Sequence, residues 1–437
     1  MNISDRRKCV EYALDVLLGR DSAKKYKSKI RYQNADAGIS DDSFLYIAPS
    51  GFFDDGYGMP ASLPVLPLME IEGVPLLYGS PRVERKGKNL VVYADIIAST
   101  FFLVTRYEEI VRRGVRDKYG RFPGKESLPY RAGFIERPIV EDYARLLRKW
   151  LREIGIDIKE PQRKFSVVLT HDVDSIQKYW RISQPLREIA KTLLGNKPFF
   201  NIIESVMAPL GLKRDPYDNF AELIKLAKNA GDGPSRIKYE LIFFFMAGGD
   251  SKYDLRKKNV RNIISTVQRS GAKIGLHTSY EAGLKPELIC KEKKLLEEAC
   301  GFQIYLNRYH FLAWLEVKDG WALSNAGIDW DSTLGYFDVA GFRLGVCHPI
   351  ELFDPIRMEL FGIEEHPLIV MDETLSRSSY MNFNEDEAFE YCKRLIEQTR
   401  KNNGEFVMLW HNVGFAWDHQ GYHSRIYKRL LDELFVS

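Results

Sequence analysis

Cysteine is scarce in this chain. The 437 residues include five, Cys9, Cys290, Cys300, Cys347 and Cys392, with no Cys-x-x-Cys pair. That odd, scattered set argues against a disulfide framework and for reduced thiols in a cytosol. Long apolar runs are missing too: the longest, Leu241–Ala247 and Ile96–Val104, fall far short of the ~20 residues of a membrane-spanning helix. The opening stretch sets Asp5, Glu11 and Asp15 among its apolar residues and lacks the apolar core and cleavage site of a secretory signal. The expectation is a cytoplasmic protein with no membrane span. An excess of one charge is also absent, since 63 Lys+Arg against 60 Asp+Glu leave +3, so no nucleic-acid footprint is present. No internal repeat or low-complexity tract occurs.

What is present is enough apolar residue, 45%, to bury a large core. The organisation is uneven. No histidine occurs before residue 170; His171, His277, His310, His348, His366, His411, His419 and His423 all follow it. A helical pattern over Glu141–Ile154 ends at Gly155 and runs into a polar stretch, which puts a boundary near residue 160. Residues 1–160 read as a smaller mixed α/β domain, with helices over Arg6–Leu18 and Phe101–Val111 and strands over Phe44–Ala48 and Leu90–Tyr93. The segment Arg116–Phe122 reads as a solvated turn or, alternatively, as a surface that docks on the second domain and walls its cleft.

Residues 161–437 change character. Strand-like runs at Phe165–Thr170, Lys238–Met246, Lys273–Leu276, Gln303–Asn307, Ile328–Trp330, Leu368–Met371 and Phe406–Trp410 alternate with helical patterns. Near-continuous apolar strands joined by helices predict a mostly parallel sheet. The fold expectation is α/β: a distorted (β/α) barrel of seven or eight strands.

Chemistry clusters where the apolar runs end. Thr170 leads into His171, Asp172 and Asp174; Leu276 into His277; Asn307 into Arg308 and His310; Ile328 into Asp329 and Asp331; Met371 into Asp372; and Trp410 into His411. In a parallel barrel the carboxyl ends of all strands open on one face, so these groups converge on one cleft. Neighbouring carboxylates, several imidazoles and a guanidinium are the ligands and proton carriers of a divalent-metal hydrolase. No Gly-x-Ser-x-Gly elbow, His-Glu-x-x-His helix or phosphate-binding Gly-x4-Gly-Lys loop occurs.

The series Thr170-His-Asp-Val-Asp174, Gly275-Leu-His277, Arg308, Asp331-Ser332 and Leu409-Trp-His411 resembles the motifs of the polysaccharide deacetylase family, the NodB-homology or carbohydrate esterase family 4 group. The resemblance covers about residues 163–437, and the N-terminal region resembles an extension found on a bacterial branch of that family. It implies a barrel that removes acetyl groups from amino sugars with a divalent metal, commonly zinc. By residue, it implies that Asp172 is the catalytic base, Asp174 and His277 are metal ligands, Arg308 holds the base, Asp331 tunes the acid, and His411 protonates the leaving group. Asp372 is an expected substrate contact.

One position departs from the pattern. Four residues after His277, where the family has its second metal histidine, stands Glu281. Either Glu281 supplies a carboxylate or His310 becomes the third ligand. His310 is favoured, because zinc takes imidazole readily and the residue lies just past a strand end. The expected partner is an acetylated sugar or glycan precursor; the alternatives are an idle barrel that binds a saccharide or partner, and a hydrolase of a non-sugar amide. Trp314, Trp321, Trp330 and Trp410 read mainly as core and secondarily as sugar platforms. His348, His366, His419 and His423 read as surface or loop residues.

Overall fold

The computed structural model describes residues 1–34, 42–179, 183–194, 200–210, 212–315, 317–415 and 421–435. His419 lies outside them. Among the described residues before 160, the strands are β1 (Ile30–Tyr32), β2 (Leu45–Ile47), β3 (Met69–Ile71), β4 (Val74–Leu76), β5 (Gly79–Lys86) and β6 (Asn89–Ala94). One sheet has the order β1-β2-β6-β5, and β3 and β4 form a separate antiparallel ribbon. Helix Ile3–Leu18 starts where the Asn2 side chain accepts from the Asp5 N–H, with Asp5 itself in the first turn; both features satisfy the helix N-terminus. The helix expected over Phe101–Val111 is interrupted. It becomes Ile96–Val104 and Tyr107–Val111, broken at Arg106 with φ 55°, and the Arg106 guanidinium lies 5.0 Å from the Trp314 ring centre.

The second part builds β7 (Ser166–Val173), β8 (Lys238–Phe245), β9 (Lys273–Thr278), β10 (Leu306–Tyr309), β11 (Trp330–Asp331), β12 (Ile350–Asp354), β13 (Glu359–Glu365), β14 (Leu368–Met371) and β15 (Glu405–Leu409). They form a nine-stranded sheet ordered β12-β13-β11-β10-β9-β8-β7-β15-β14. Every neighbouring pair is parallel except β12 with β13. The β12–β13 hairpin was not anticipated. Its second strand, Glu-Leu-Phe-Gly-Ile-Glu-Glu, alternates exposed and buried residues and carries three glutamates, so it lacks the apolar run that marks the other strands.

The sheet curls tightly. Strands sit about 4.8 Å apart, so β8 and β11, with β9 and β10 between them, would be far apart in a flat sheet; instead the Phe244 and Trp330 rings stack with centres 5.9 Å apart. The concave face gathers Val168, Ile242, Phe244, Leu368, Met371, Val407 and Leu409 into one small core. The alternate residues Leu169, Phe243, Phe245, Phe406 and Met408 join the larger core outside, as the two-residue period of a strand demands. The space beyond β14 is bridged by chain rather than by strand pairing, with Gly341 N–H donating to Ile369 O (3.0 Å) and Leu334 N–H to Glu365 Oε1 (2.8 Å).

The apolar core is continuous across residue 160. Tyr12 stacks on Phe353 with ring centres 4.6 Å apart, and Arg343 donates to both Glu109 oxygens at 2.9 and 2.7 Å. The segment Arg116–Phe122 is not a solvated turn: Arg121 is 6% exposed and donates to Phe311 O at 2.8 Å. Among the described residues no helix is long and apolar enough to cross a membrane.

Gly275 marks how closely the concave layer is filled, since a Cβ there would stand 2.4 Å from the Phe244 ring and 3.1 Å from Leu306 Cβ. Gly275→Ala is expected to lower unfolding free energy by about 1–3 kcal/mol, the usual cost of overpacking, measured by urea denaturation followed by circular dichroism.

Candidate metal centre

Strand alternation aims the site. On β7 the side chains of Val168 and Thr170 face inward with Asp172, and Asp174 follows in the same phase. His171 faces outward, its Nδ1 2.7 Å from Trp410 O and its Nε2 3.3 Å from the Tyr427 hydroxyl. Burial there pushes its imidazole down to about 4, so it is a neutral core histidine.

Arg308, fully buried on β10, reaches across the concave face. Its Nη1 donates to Thr170 Oγ1 (2.6 Å) and Asp172 Oδ1 (3.1 Å), its Nε to Ser332 O (2.7 Å), and its Nη2 to Ser332 Oγ (2.8 Å). A buried cation needs this degree of pairing. The carboxyl of Asp172 is thereby fixed, with its other oxygen 3.6 Å from His277 Nε2.

Asp174, His277 and His310 come together. His277 Nε2 lies 3.5 Å from Asp174 Oδ1, and His310 Nε2 lies 3.8 Å from the same oxygen. One ligand atom from each falls within 4.8 Å of the other two. Ligands of a tetrahedral ion with bonds of about 2.0–2.1 Å stand about 3.3 Å apart, close to these separations. The His277 Nδ1 is 2.9 Å from Arg308 O, which assigns the proton of the neutral ring to that nitrogen, so that in the neutral ring the Nε2 lone pair is directed at Asp174. Both that Nε2 and Asp174 Oδ1 are buried without a hydrogen-bond partner. Two imidazoles and one carboxylate, with two orphaned buried atoms between them, fit a divalent cation.

Electrostatics agree with a negative pocket. Burial opposes charge on Asp174, yet the imidazoles of His277, His411 and His310 hold its carboxyl below the usual range. Burial likewise opposes charge on His277, but Asp172 and Asp174 raise its pKa. His310 is brought down to about 4 by burial and by the neighbouring His277.

The backbone beyond β10 is unusual. Phe311 and Leu312 both take left-handed conformations, φ 61° and 55°, each costing of order 1–3 kcal/mol for a bulky side chain. This turn brings His310 to the mouth of the sheet, where its ring stacks on Phe311 with centres 3.7 Å apart. Glu281 does not join the group. It sits on the short helix Tyr280–Leu284, half-exposed and paired with Lys285 at 2.9 Å.

Across the mouth stands His411. Asp372 accepts from His411 N–H through Oδ2 (2.8 Å) and pairs with its Nδ1 through Oδ1 (2.7 Å). Burial opposes charge on both; nevertheless their mutual attraction raises the His411 pKa well above the ordinary histidine value and lowers that of Asp372. The position expected of Asp331 beside His411 is therefore filled by Asp372, which was expected to touch substrate. Asp331 follows the inward-facing Trp330 and so points to the convex side, bonded to Asn307 Nδ2 (2.7 Å) and Thr333. Burial raises the pKa of Asp331, and burial together with the Asp331 carboxyl raises that of Glu365.

Asp172, Asp174, His310 and His411 line one cleft of about 830 Å³. Its aromatic lining is Tyr119, Tyr217, Tyr280, Phe311 and Tyr380, not the tryptophans: Trp314 and Trp410 are core, Trp321 bonds Asp354, and Trp330 stacks on His366 inside the sheet. Tyr280 lies two residues past the end of β9 and Phe311 directly follows His310, which was the available signal for them. His348 and His366 are buried rather than superficial, the first paired with Glu141 and the second with Glu364 and Glu405. His423 is half-buried near Trp410.

A model of a family of unknown function (DUF7033) matches residues 4–155. No curated protein matches the chain. Among solved structures, the chain is similar to a candidate polysaccharide deacetylase from Mycobacterium smegmatis, at 14% identity and TM-score 0.41, covering 63% of this chain and 85% of that one. It is also similar to a GH57 branching enzyme from Thermococcus kodakaraensis, at 10% identity and TM-score 0.35, covering 63% and 68%. A GH57-type branching enzyme from Pyrococcus horikoshii aligns at 11% identity and TM-score 0.32, covering 62% and 67%.

The raised pKa of His277 has a consequence for cation binding. Asp172 and Asp174 favour the doubly protonated ring of His277, and the proton on Nε2 must leave before that nitrogen can donate its lone pair. Zinc affinity, followed by competition with a chromogenic chelator, is expected to fall by about tenfold per pH unit below that raised pKa. A pH-independent affinity between pH 5 and 8 would contradict this.

Proposed function

We propose that the protein is a divalent-metal hydrolase, zinc-dependent and cytoplasmic, that removes acetyl groups from an amino sugar or glycan precursor. The single observation that carries the reading is the convergence of Asp174, His277 and His310 beside Asp172 and opposite His411. When bound at that triad, zinc would supply Lewis-acid polarisation of the acyl oxygen. Asp172, held by Arg308, takes the proton of the attacking water. His411, held charged by Asp372, donates a proton to the leaving amine or alcohol. The five cysteines are all unpaired thiols, in keeping with a reducing compartment. The tyrosines around the cleft offer flat apolar faces with polar edges, suited to sugar rings.

Zinc-loaded protein is expected to release acetate from at least one member of a panel of N-acetylated amino sugars. Asp172→Asn should lower kcat by about 10²–10⁴-fold while leaving the zinc content unchanged. Bound zinc and bound sugar without acetate from any member would contradict hydrolysis and favour a saccharide binder.

A second outcome follows from the Asp372–His411 pair. The acid must be protonated, so activity is lost as pH rises through the raised pKa of His411. Asp372→Asn removes the charge that raises it, and the basic limb of the kcat profile is expected to move to lower pH, with a smaller change in KM than in kcat.

A further inference from the structure

The N-terminal part of the chain reaches the metal centre through one turn. Asp117 N–H donates to Arg121 O (2.9 Å) and Gly120 N–H to Asp117 O (2.9 Å), with Gly120 at φ 77°, a conformation that favours glycine. The Asp117 carboxyl braces the turn from within, accepting from the backbone N–H groups of Tyr119 (2.9 Å) and Arg121 (2.8 Å) and from the Arg121 guanidinium at 2.9 and 2.7 Å. What this rigid turn presents is directed at the residue after His310. Arg121 Nη1 donates to Phe311 O at 2.8 Å, and its guanidinium lies 3.5 Å from the Phe337 ring centre. Tyr119 stacks on Phe311 with centres 4.8 Å apart and planes at 23°. Phe311 in turn stacks on His310, 3.7 Å and 21°, so Tyr119, Phe311 and His310 form a continuous pile of rings. Tyr280, three residues beyond His277, donates its hydroxyl to Tyr119 O at 3.2 Å and closes the other side.

We propose that the Asp117–Arg121 turn is the device that holds His310 as a cation ligand, with Arg121 and Tyr119 as its positioning residues. This rests on the reading that Asp174, His277 and His310 hold a divalent cation. Phe311 and Leu312 are left-handed without being glycine, and such residues persist only where their surroundings over-determine them. The carbonyl of Phe311 is tied by Arg121 and its ring is clamped between Tyr119 and His310. Released from the turn, the segment relaxes to ordinary dihedral angles, and the His310 imidazole leaves the site. The N-terminal part thus completes a centre whose donors all lie in the second part.

The test is zinc affinity of the full chain, by competition with a chromogenic chelator, on variants whose fold is verified by circular dichroism. Arg121→Lys keeps the charge but loses the fork to Asp117, and Tyr119→Ala removes the top of the ring pile; each is expected to weaken zinc binding about 10–100-fold, the usual effect of losing a group that orients a ligand. Lys149→Ala, which breaks an exposed pair with Glu72 elsewhere in the same part, leaves affinity unchanged. In a His310→Ala background Arg121→Lys should add less than about twofold, because both changes act through one side chain. Wild-type affinity in both positioning variants, or an Arg121→Lys effect equally large with and without His310, overturns the proposal. If Arg121→Lys does not fold, Tyr119→Ala with its His310→Ala double variant decides the same question. Absence of acetate release would overturn the deacetylase reading while leaving these affinity ratios untouched.

Discussion

Arg308 is a cation with no access to solvent, and its guanidinium satisfies itself on two separate stretches of chain: Thr170 and Asp172 at the end of β7, and both the carbonyl and hydroxyl of Ser332. Leaving any of these acceptors out would strand a buried charge, an error of several kcal/mol. The pairing therefore draws β7 and β10 toward one another across the concave face and enforces the curl. It also fixes two neighbouring groups, since Arg308 holds Asp172 through its side chain and His277 through its own carbonyl. Base candidate and cation ligand are oriented by opposite ends of one residue.

The remaining parts divide into two arms around that centre. On one side the left-handed turn at Phe311 and Leu312 delivers His310. On the other, Asp372 holds His411 by both a backbone and a side-chain contact. The register shift between β14 and β15 at Leu368 and Val370 is what lets Leu368 and Met371, three residues apart, both face inward, so that the helix beginning at Asp372 starts at the mouth. Local irregularities and functional side chains coincide at β10 and β14, where a strained or bulged backbone re-aims a residue that plain alternation would misdirect.

Much of the second part was legible because its strands are buried on both faces and so appear as apolar runs. All seven strand candidates after residue 160 have counterparts, although β10 begins at Leu306 rather than Gln303 and β11 shrinks to Trp330–Asp331. The β12–β13 hairpin was invisible, being polar on alternate residues. Residue types at strand ends indicated the mouth of the sheet, and the preference for His310 over Glu281 agrees with the triad. The partners of His411 were harder to read. Choosing between Asp331 and Asp372 depends on which face each strand end presents, and that hinges on one residue of phase in β11 and on the bulge in β14. For Arg116–Phe122 the sequence left a solvated turn and a docking surface both open: its arginines, lysine and aspartate resemble a solvated turn until the buried Phe311 carbonyl supplies a partner.

The central claim is that Asp174, His277 and His310 share one cation. Anomalous scattering at the zinc absorption edge, collected from crystals of zinc-soaked protein, addresses it most directly. The account predicts a single strong peak bonded to Asp174 Oδ1 and to the Nε2 atoms of His277 and His310, with Glu281 remote from it. A peak bonded to Glu281, or no peak between the two imidazoles at saturating zinc, would contradict it.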